Sequence, residues 1–132
     1  MANMPETAVT EHQSAEIQCK TDIWNRNAAL LALDNDAVVL NSLVQVLAGE
    51  LQERVAALDT ALQTSNAELI RRTAHACKNS AGIMRLDQLQ AAAAAAETAD
   101  PSRLPEAARS LRRAMVEASQ AMAAEQNTDQ TG

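Results

Sequence analysis

Phenylalanine and tyrosine are missing from this chain of 132 residues, which also contains only 3 glycines, 3 prolines and a single tryptophan. Strands favour aromatic and β-branched side chains, so the absence of Phe and Tyr argues against sandwiches, barrels and doubly wound sheets. Glycine and proline mark turns, and their scarcity indicates few, long elements. Alanine fills 29 positions and apolar residues make up 47% of the chain. The composition therefore predicts an all-α domain with a core of small side chains.

An excess of positive charge is also missing, because 17 acidic residues face 11 basic ones for a net charge of −6. The composition therefore predicts no nucleic-acid binding. No apolar run approaches the roughly 18 residues of a membrane span, and the N-terminus lacks the parts of a secretory signal, so we expect no membrane insertion.

Cys19 and Cys77 form neither a CxxC pair nor a Cys/His cluster. That pattern predicts no zinc site and no disulfide framework, and it fits a reducing, cytoplasmic setting.

The hydrophobic pattern predicts a folded domain at 22–125 between two disordered tails, 1–21 and 126–132. A short first helix would place Trp24, Ala28 and Leu31 on one face. Four longer amphipathic helices follow, at about 37–62, 67–84, 87–99 and 105–125. Their short connections predict an antiparallel, up-down four-helix bundle with the short helix covering one end. We expect a monomer, because such a bundle completes its core without a second copy.

His75 is the one histidine inside the predicted domain, since His12 falls in the N-terminal tail. It follows Ala74 of a buried stripe and so points about 100° away from that stripe, which predicts an exposed imidazole. Its neighbours three and four residues away are polar or cationic, namely Arg71, Arg72, Lys78 and Asn79. Cations at this spacing would attract a phosphoryl group. Gly82, further along the same ridge, would leave open space for another protein. A solvated helix face without function can show the same pattern.

The stretch from His75 to Leu89 resembles the signature of histidine-containing phosphotransfer domains. These four-helix bundles carry phosphate between receiver domains in two-component phosphorelays. His75 matches the phosphorylated histidine, and Lys78 matches the lysine three residues on. The run Ser80-Ala81-Gly82 matches the family's small residues, and Leu89 and Glu97 match a leucine and a glutamate of the following helix.

Two residues depart from the pattern of this family. Asn79 stands where the family has a glycine beside the lysine, and Arg85 stands where it has a second glycine. Asn79 adds bulk one turn from His75, and Arg85 adds positive charge at the end of the same helix. Asn79 could narrow the set of receivers accepted, slow the transfer, or donate a hydrogen bond to the phosphoryl group. Neither departure removes a group that the chemistry requires, and together they leave open an altered or regulatory member of the family.

The resemblance implies that His75 accepts a phosphoryl group from the aspartate of a response-regulator receiver domain and passes it to another receiver. Lys78, with Arg71 or Arg72, would offset the charge of the phosphohistidine. The chain would need no cofactor of its own, and Mg²⁺ is expected on the partner receiver. A hybrid sensor kinase is a further candidate partner. The chain has no glycine-rich phosphate loop, so it would not be a kinase itself.

The residues leave one competing interpretation from a different class. A helical bundle can bind and regulate a signalling partner without any chemistry, and His75 would then be incidental. The placement of His75, Lys78 and Gly82 on one ridge favours phosphotransfer, because a non-catalytic interaction module has no need of it. A metal or ligand binder is less well supported, since no second histidine lies one turn from His75.

Overall fold

The computed structural model describes residues 23–131, with side chains as far as Glu125. The predicted tail at 1–21 lies outside these residues. Five helices lie wholly within the described part: α1 (Arg26–Ala32), α2 (Ala37–Gln63), α3 (Ala67–Ile83), α4 (Asp87–Thr98) and α5 (Leu104–Thr131). None of the described residues lies in a strand. The described part of the chain is therefore all-helical, as the composition predicts, although α5 continues to Thr131 where the sequence predicts an end near Glu125.

The four long helices form a bundle in which each one packs against its neighbours in the chain, and α5 returns to pack against α2. Their buried faces follow the predicted stripes closely. On α5, for example, the buried apolar residues are Leu104, Ala108, Leu111, Met115, Ala118 and Met122. On α4 the alanines Ala93 and Ala96 are fully buried. Short alanine side chains let the α4 backbone lie close to its neighbours, which brings groups on α3 within reach of groups on α4.

Trp24 joins the chain before α1 to the end of α3. Its side chain is 2% exposed, and its indole Nε1–H donates to the main-chain oxygen of Met84 at 2.9 Å. The predicted face of the first helix is wrong in part, because Leu31 is 69% exposed and Ala29 is the buried residue. The reason is that α1 begins only at Arg26. Asn25 caps α1 by accepting from Ala28 N–H at 3.0 Å, so Trp24 precedes the helix and does not share its face.

Three helices end in a left-handed residue, and none of these residues is glycine. They are Asp34, Ser65 and Arg85, with φ of 55°, 53° and 59°. At the end of α3, Leu86 N–H donates to the Ala81 oxygen at 2.9 Å and Arg85 N–H to the Gly82 oxygen at 3.3 Å. This is the Schellman pattern, in which a left-handed residue follows the C-cap and glycine is preferred. The low glycine content thus fits helices that end in other residues. These residues adopt the left-handed conformation at some cost in backbone strain.

Replacing Arg85 with glycine is expected to stabilise the fold. The left-handed conformation costs a non-glycine residue about 1–2 kcal/mol, and the greater freedom of glycine in the unfolded chain returns about 0.4–1 kcal/mol of that gain. We expect a net increase of about 0.5–1 kcal/mol in the free energy of unfolding for Arg85→Gly, measured by urea denaturation. Ser65→Gly should give a similar increase. A decrease for both variants would show that these turns are not strained.

Candidate functional site

His75 lies on the outward side of α3. The helix begins at Ala67, where the Asn66 side chain caps it by accepting from Leu69 N–H at 3.1 Å. Its inward side is formed by Ile70, Thr73, Ala74, Cys77 and Ala81. The His75 side chain is 61% exposed, as the helical periodicity predicts. Packing therefore fixes the helix below His75 and leaves the imidazole accessible to another protein.

The carboxylate of Glu97 holds His75 from the neighbouring helix. Glu97 lies in the last turn of α4 and its Oε2 is 2.5 Å from Nδ1 of His75. Its other oxygen, Oε1, is 2.7 Å from Nζ of Lys78. The hydrogen bonds from Lys78 and then from His75 hold the pKa of Glu97 below its usual value of 4.5. Glu97 is thus ionised at neutral pH and links the imidazole to the ammonium group.

An ionised carboxylate can only accept hydrogen bonds, so Nδ1 of His75 carries the proton in this contact. In the neutral imidazole the lone pair then lies on Nε2. Nε2 makes no hydrogen bond to any of the described residues. In its neutral form the imidazole accordingly presents a lone pair on Nε2 toward solvent, with the proton on Nδ1 directed to Glu97.

The Arg71 side chain is bound at the end of α4, whereas its spacing from His75 predicts a cation that would attract a phosphoryl group. Its guanidinium donates through Nη1 to the main-chain oxygen of Glu97 at 2.8 Å and through Nη2 to that of Ala99 at 2.9 Å. The last carbonyls of a helix lack partners within the helix, and arginine can satisfy them. Arg71 is half-buried and directed to the end of α4. It therefore secures the turn that carries Glu97, and its guanidinium is not a free phosphate-binding group.

The other cations of the ridge are also paired. Arg72 donates to Glu68 at 2.9 Å, and these side chains are 69% and 82% exposed, so this pair contributes little to stability. Lys78 is paired with Glu97 at 2.7 Å. The positive charge of the cations on α3 is therefore reduced by a carboxylate that α4 supplies. Periodicity within one helix could not detect Glu97, but its match to the family's glutamate did indicate it.

Gly82 does not leave the open space that the sequence predicts. A Cβ at Gly82 would lie 2.8 Å from Nε2 of Gln90, so the Gln90 amide covers this position from α4. Gln90 is an exposed residue, and the end of its side chain can turn away. Of the two departures from the family pattern, Asn79 is exposed one turn beyond His75, and Arg85 is exposed at the end of α3.

An apolar surface lies beside the polar ridge, on the side of α2. We define it by Val46 of α2 and Ile83 of α3, which are 59% and 64% exposed. The groove between these helices has a volume of about 180 Å³ and is also lined by Leu43, Glu50 and Ser80. The sequence did not indicate these two residues, because outward-facing Val and Ile give no periodic signal. A surface of this kind can be covered by a partner protein.

One further reactive side chain, a cysteine, lies on the inward side of α3. Cys77 is fully buried, and this burial raises the pKa of its thiol to about 11. Within the part of the chain that the structure describes, no group of three His, Cys, Asp or Glu residues could hold a metal ion.

No single helix among residues 23–131 is long and apolar enough to cross a membrane. The pair α1 and α2, which passes that test together, is bent by 116°.

The Hpt domain family model matches residues 42–125, which is more than half of the chain. No curated protein and no solved structure gave a match. The fold and the site define the class of protein as a helical bundle that exposes a histidine. The match shows that the chain belongs to the Hpt domain family. Its general role is therefore histidine phosphotransfer in a phosphorelay.

Proposed function

We propose that His75 accepts a phosphoryl group on Nε2 from the aspartyl phosphate of one receiver domain and passes it to the aspartate of another. The observation that supports this proposal is the contact between Nδ1 of His75 and the Glu97 carboxylate, which leaves the Nε2 lone pair toward solvent. Phosphoryl transfer needs little from the acceptor beyond a correctly placed nucleophile.

In the forward step, the Nε2 lone pair forms a bond to phosphorus while the bond between phosphorus and the aspartyl oxygen breaks. The aspartate leaves as a carboxylate and keeps that electron pair. The imidazole ring gains positive charge as the N–P bond forms, and the ionised Glu97 beside Nδ1–H stabilises that charge. The reverse sequence of bonds delivers the phosphoryl group to a second receiver. Glu97 acts through His75 and is therefore a positioning residue.

Lys78 has two roles in this proposal. Its ammonium group stabilises the ionised form of Glu97 through the 2.7 Å contact. Its side chain is also 34% exposed, so the positive charge remains accessible to a phosphoryl group brought in by a partner. Arg72, whose partner Glu68 is highly exposed, supplies further positive charge on the ridge. Arg71 has no direct role in phosphate binding here.

The partner in this proposal is a receiver domain that brings its own Mg²⁺ and docks over the ridge and the apolar surface of Val46 and Ile83. A hybrid sensor kinase could supply such a receiver. The interface would be small and short-lived, as a relay requires. The lone cysteines Cys19 and Cys77 support a cytoplasmic setting for this exchange, and we propose that the protein acts as a monomer.

The test is a transfer assay with purified receiver domains of the source genome, each phosphorylated with acetyl phosphate and mixed with the 132-residue chain. Acid-labile, alkali-stable phosphate should appear on this chain with at least one receiver and should pass to another. ATP alone should give no label. Binding to a receiver without any transfer would contradict the proposal and favour the alternative of a non-catalytic interaction module.

Glu97→Gln is expected to slow transfer to His75 about tenfold, because a hydrogen bond from a charged partner is worth about 1.5–3 kcal/mol and part of it is kept by the amide. The measurement is the rate of phosphate gain from the most active receiver. Glu106→Gln, an exposed glutamate in the first turn of α5, is the matched control and should leave the rate unchanged.

Two further measurements on Glu97→Gln distinguish the loss of His75 positioning from a loss of stability. The pKa of Glu97 is lowered by folding, so its contribution to stability is present above pH 4.5 and is lost as the pH falls through the lowered pKa. The stability difference between wild type and Glu97→Gln should therefore shrink in acid. A ¹⁵N NMR spectrum should also show the proton of His75 more evenly shared between its nitrogens in the variant. Unchanged transfer and an unchanged tautomer would rule out the positioning role.

A further inference from the structure

Arg85 combines two features that no other residue of α3 or its C-terminal end shares. It has the left-handed conformation, with φ of 59°, at a position where glycine would be free of strain. It is also exposed, and its side chain has no ion pair or hydrogen bond among the described residues. The other three cations of this segment, Arg71, Arg72 and Lys78, all have partners.

Arg85 is close in the chain to the residues of the apolar surface. Arg85 follows Ile83 by two residues, and Met84 between them lines the groove below Val46. Along the axis of α3, a separation of ten residues puts Arg85 about 15 Å from His75. An interface of ordinary size buries about 800 Å² on each partner, which is a patch roughly 30 Å across. One docked protein can therefore cover His75, the apolar surface and Arg85 together.

We propose that Arg85 is a recognition residue that selects among receiver domains by forming an ion pair with a carboxylate on the docked receiver. That carboxylate would lie about 15 Å from the phosphorylated aspartate, at the rim of the interface. Guanidinium groups match carboxylates in geometry and charge, and a charged pair at a rim acts mainly on the association rate and on specificity. This inference rests on the proposed function.

The strain makes the proposal testable, because stability and function should change in opposite directions. Arg85→Gly should unfold at a higher urea concentration than wild type, yet its kcat/KM for phosphate gain from the preferred receiver should fall about fivefold at low salt. The loss should disappear at high salt, where exposed charges are screened. Arg85→Glu should be slower than Arg85→Gly with the same receiver. Arg85→Lys, which keeps the charge and the strain, should be close to wild type.

Ser65→Gly is the matched control. Ser65 has the same left-handed conformation, carries no charge, and lies ten residues from His75 in the opposite direction. It should raise stability and leave transfer unchanged. If wild type gains phosphate and Arg85→Gly gains it at the same rate and with the same salt dependence, the recognition role is wrong and the proposed function stands. If wild type gains no phosphate from any receiver, both are wrong.

Discussion

Replacing His75 with glutamine is expected to abolish phosphate gain from every receiver while the fold stays intact. Glutamine has no nucleophilic lone pair on nitrogen, so no N–P bond can form. Its amide N–H can still reach Glu97, and the side chain it replaces is 61% exposed. Substitutions at such positions change the free energy of unfolding by about 0.5 kcal/mol or less. The measurement is label transfer together with a urea denaturation curve.

The chain supplies its own control for this prediction. It has only two histidines, and His12 lies outside the described residues. His12→Gln should gain phosphate at the wild-type rate. Label on His75→Gln, or loss of label on His12→Gln alone, would contradict the assignment of His75 as the acceptor. If His75→Gln loses the label but has also unfolded, His75→Asn, which carries a shorter amide side chain, is tested in its place.

Replacing Trp24 with alanine is expected to cause a large loss of stability. Trp24 is 2% exposed, and large aromatic side chains cost about 3–5 kcal/mol when they are truncated in a core. Domains of this size have a total stability of about 5–15 kcal/mol, so the loss is a substantial fraction of the whole. The measurement is urea unfolding followed by circular dichroism, since the variant has no tryptophan fluorescence.

Trp24→Phe separates packing from the hydrogen bond. It keeps most of the buried ring but leaves the main-chain oxygen of Met84 without its 2.9 Å donor, which should cost about 1–3 kcal/mol. Trp24 lies outside the residues 42–125 that the family model matches. A Trp24→Ala protein with wild-type stability would show that the segment before α2 is not part of the folded unit.

The sequence predicted the helices well because their signal is local. Each buried stripe repeats at helical spacing, and side-chain caps such as Asp36, which accepts from Val38 and Val39 N–H at 3.1 Å, mark where helices begin. The ends were harder to predict. Left-handed residues such as Ser65 and Arg85 close their helices without the glycine that normally signals such a turn.

The site was predicted less completely, because its geometry is made between helices. The exposure of His75 follows from spacing along α3, but the partners of Arg71 and the cover over Gly82 come from α4. Residues that are 22 positions apart, such as His75 and Glu97, meet only because α3 and α4 pack closely. Resemblance pointed to Glu97, whereas no pattern within one helix could pair it with Nδ1.

The most direct test of His75 as the phosphoacceptor is the ¹⁵N and ³¹P NMR spectrum of the 132-residue chain, labelled with ¹⁵N-histidine and phosphorylated by a receiver. We expect a single phosphohistidine, at His75, with coupling between phosphorus and Nε2 and with the proton still on Nδ1. Phosphate on Nδ1 of His75, on His12, or on no histidine at all would contradict it.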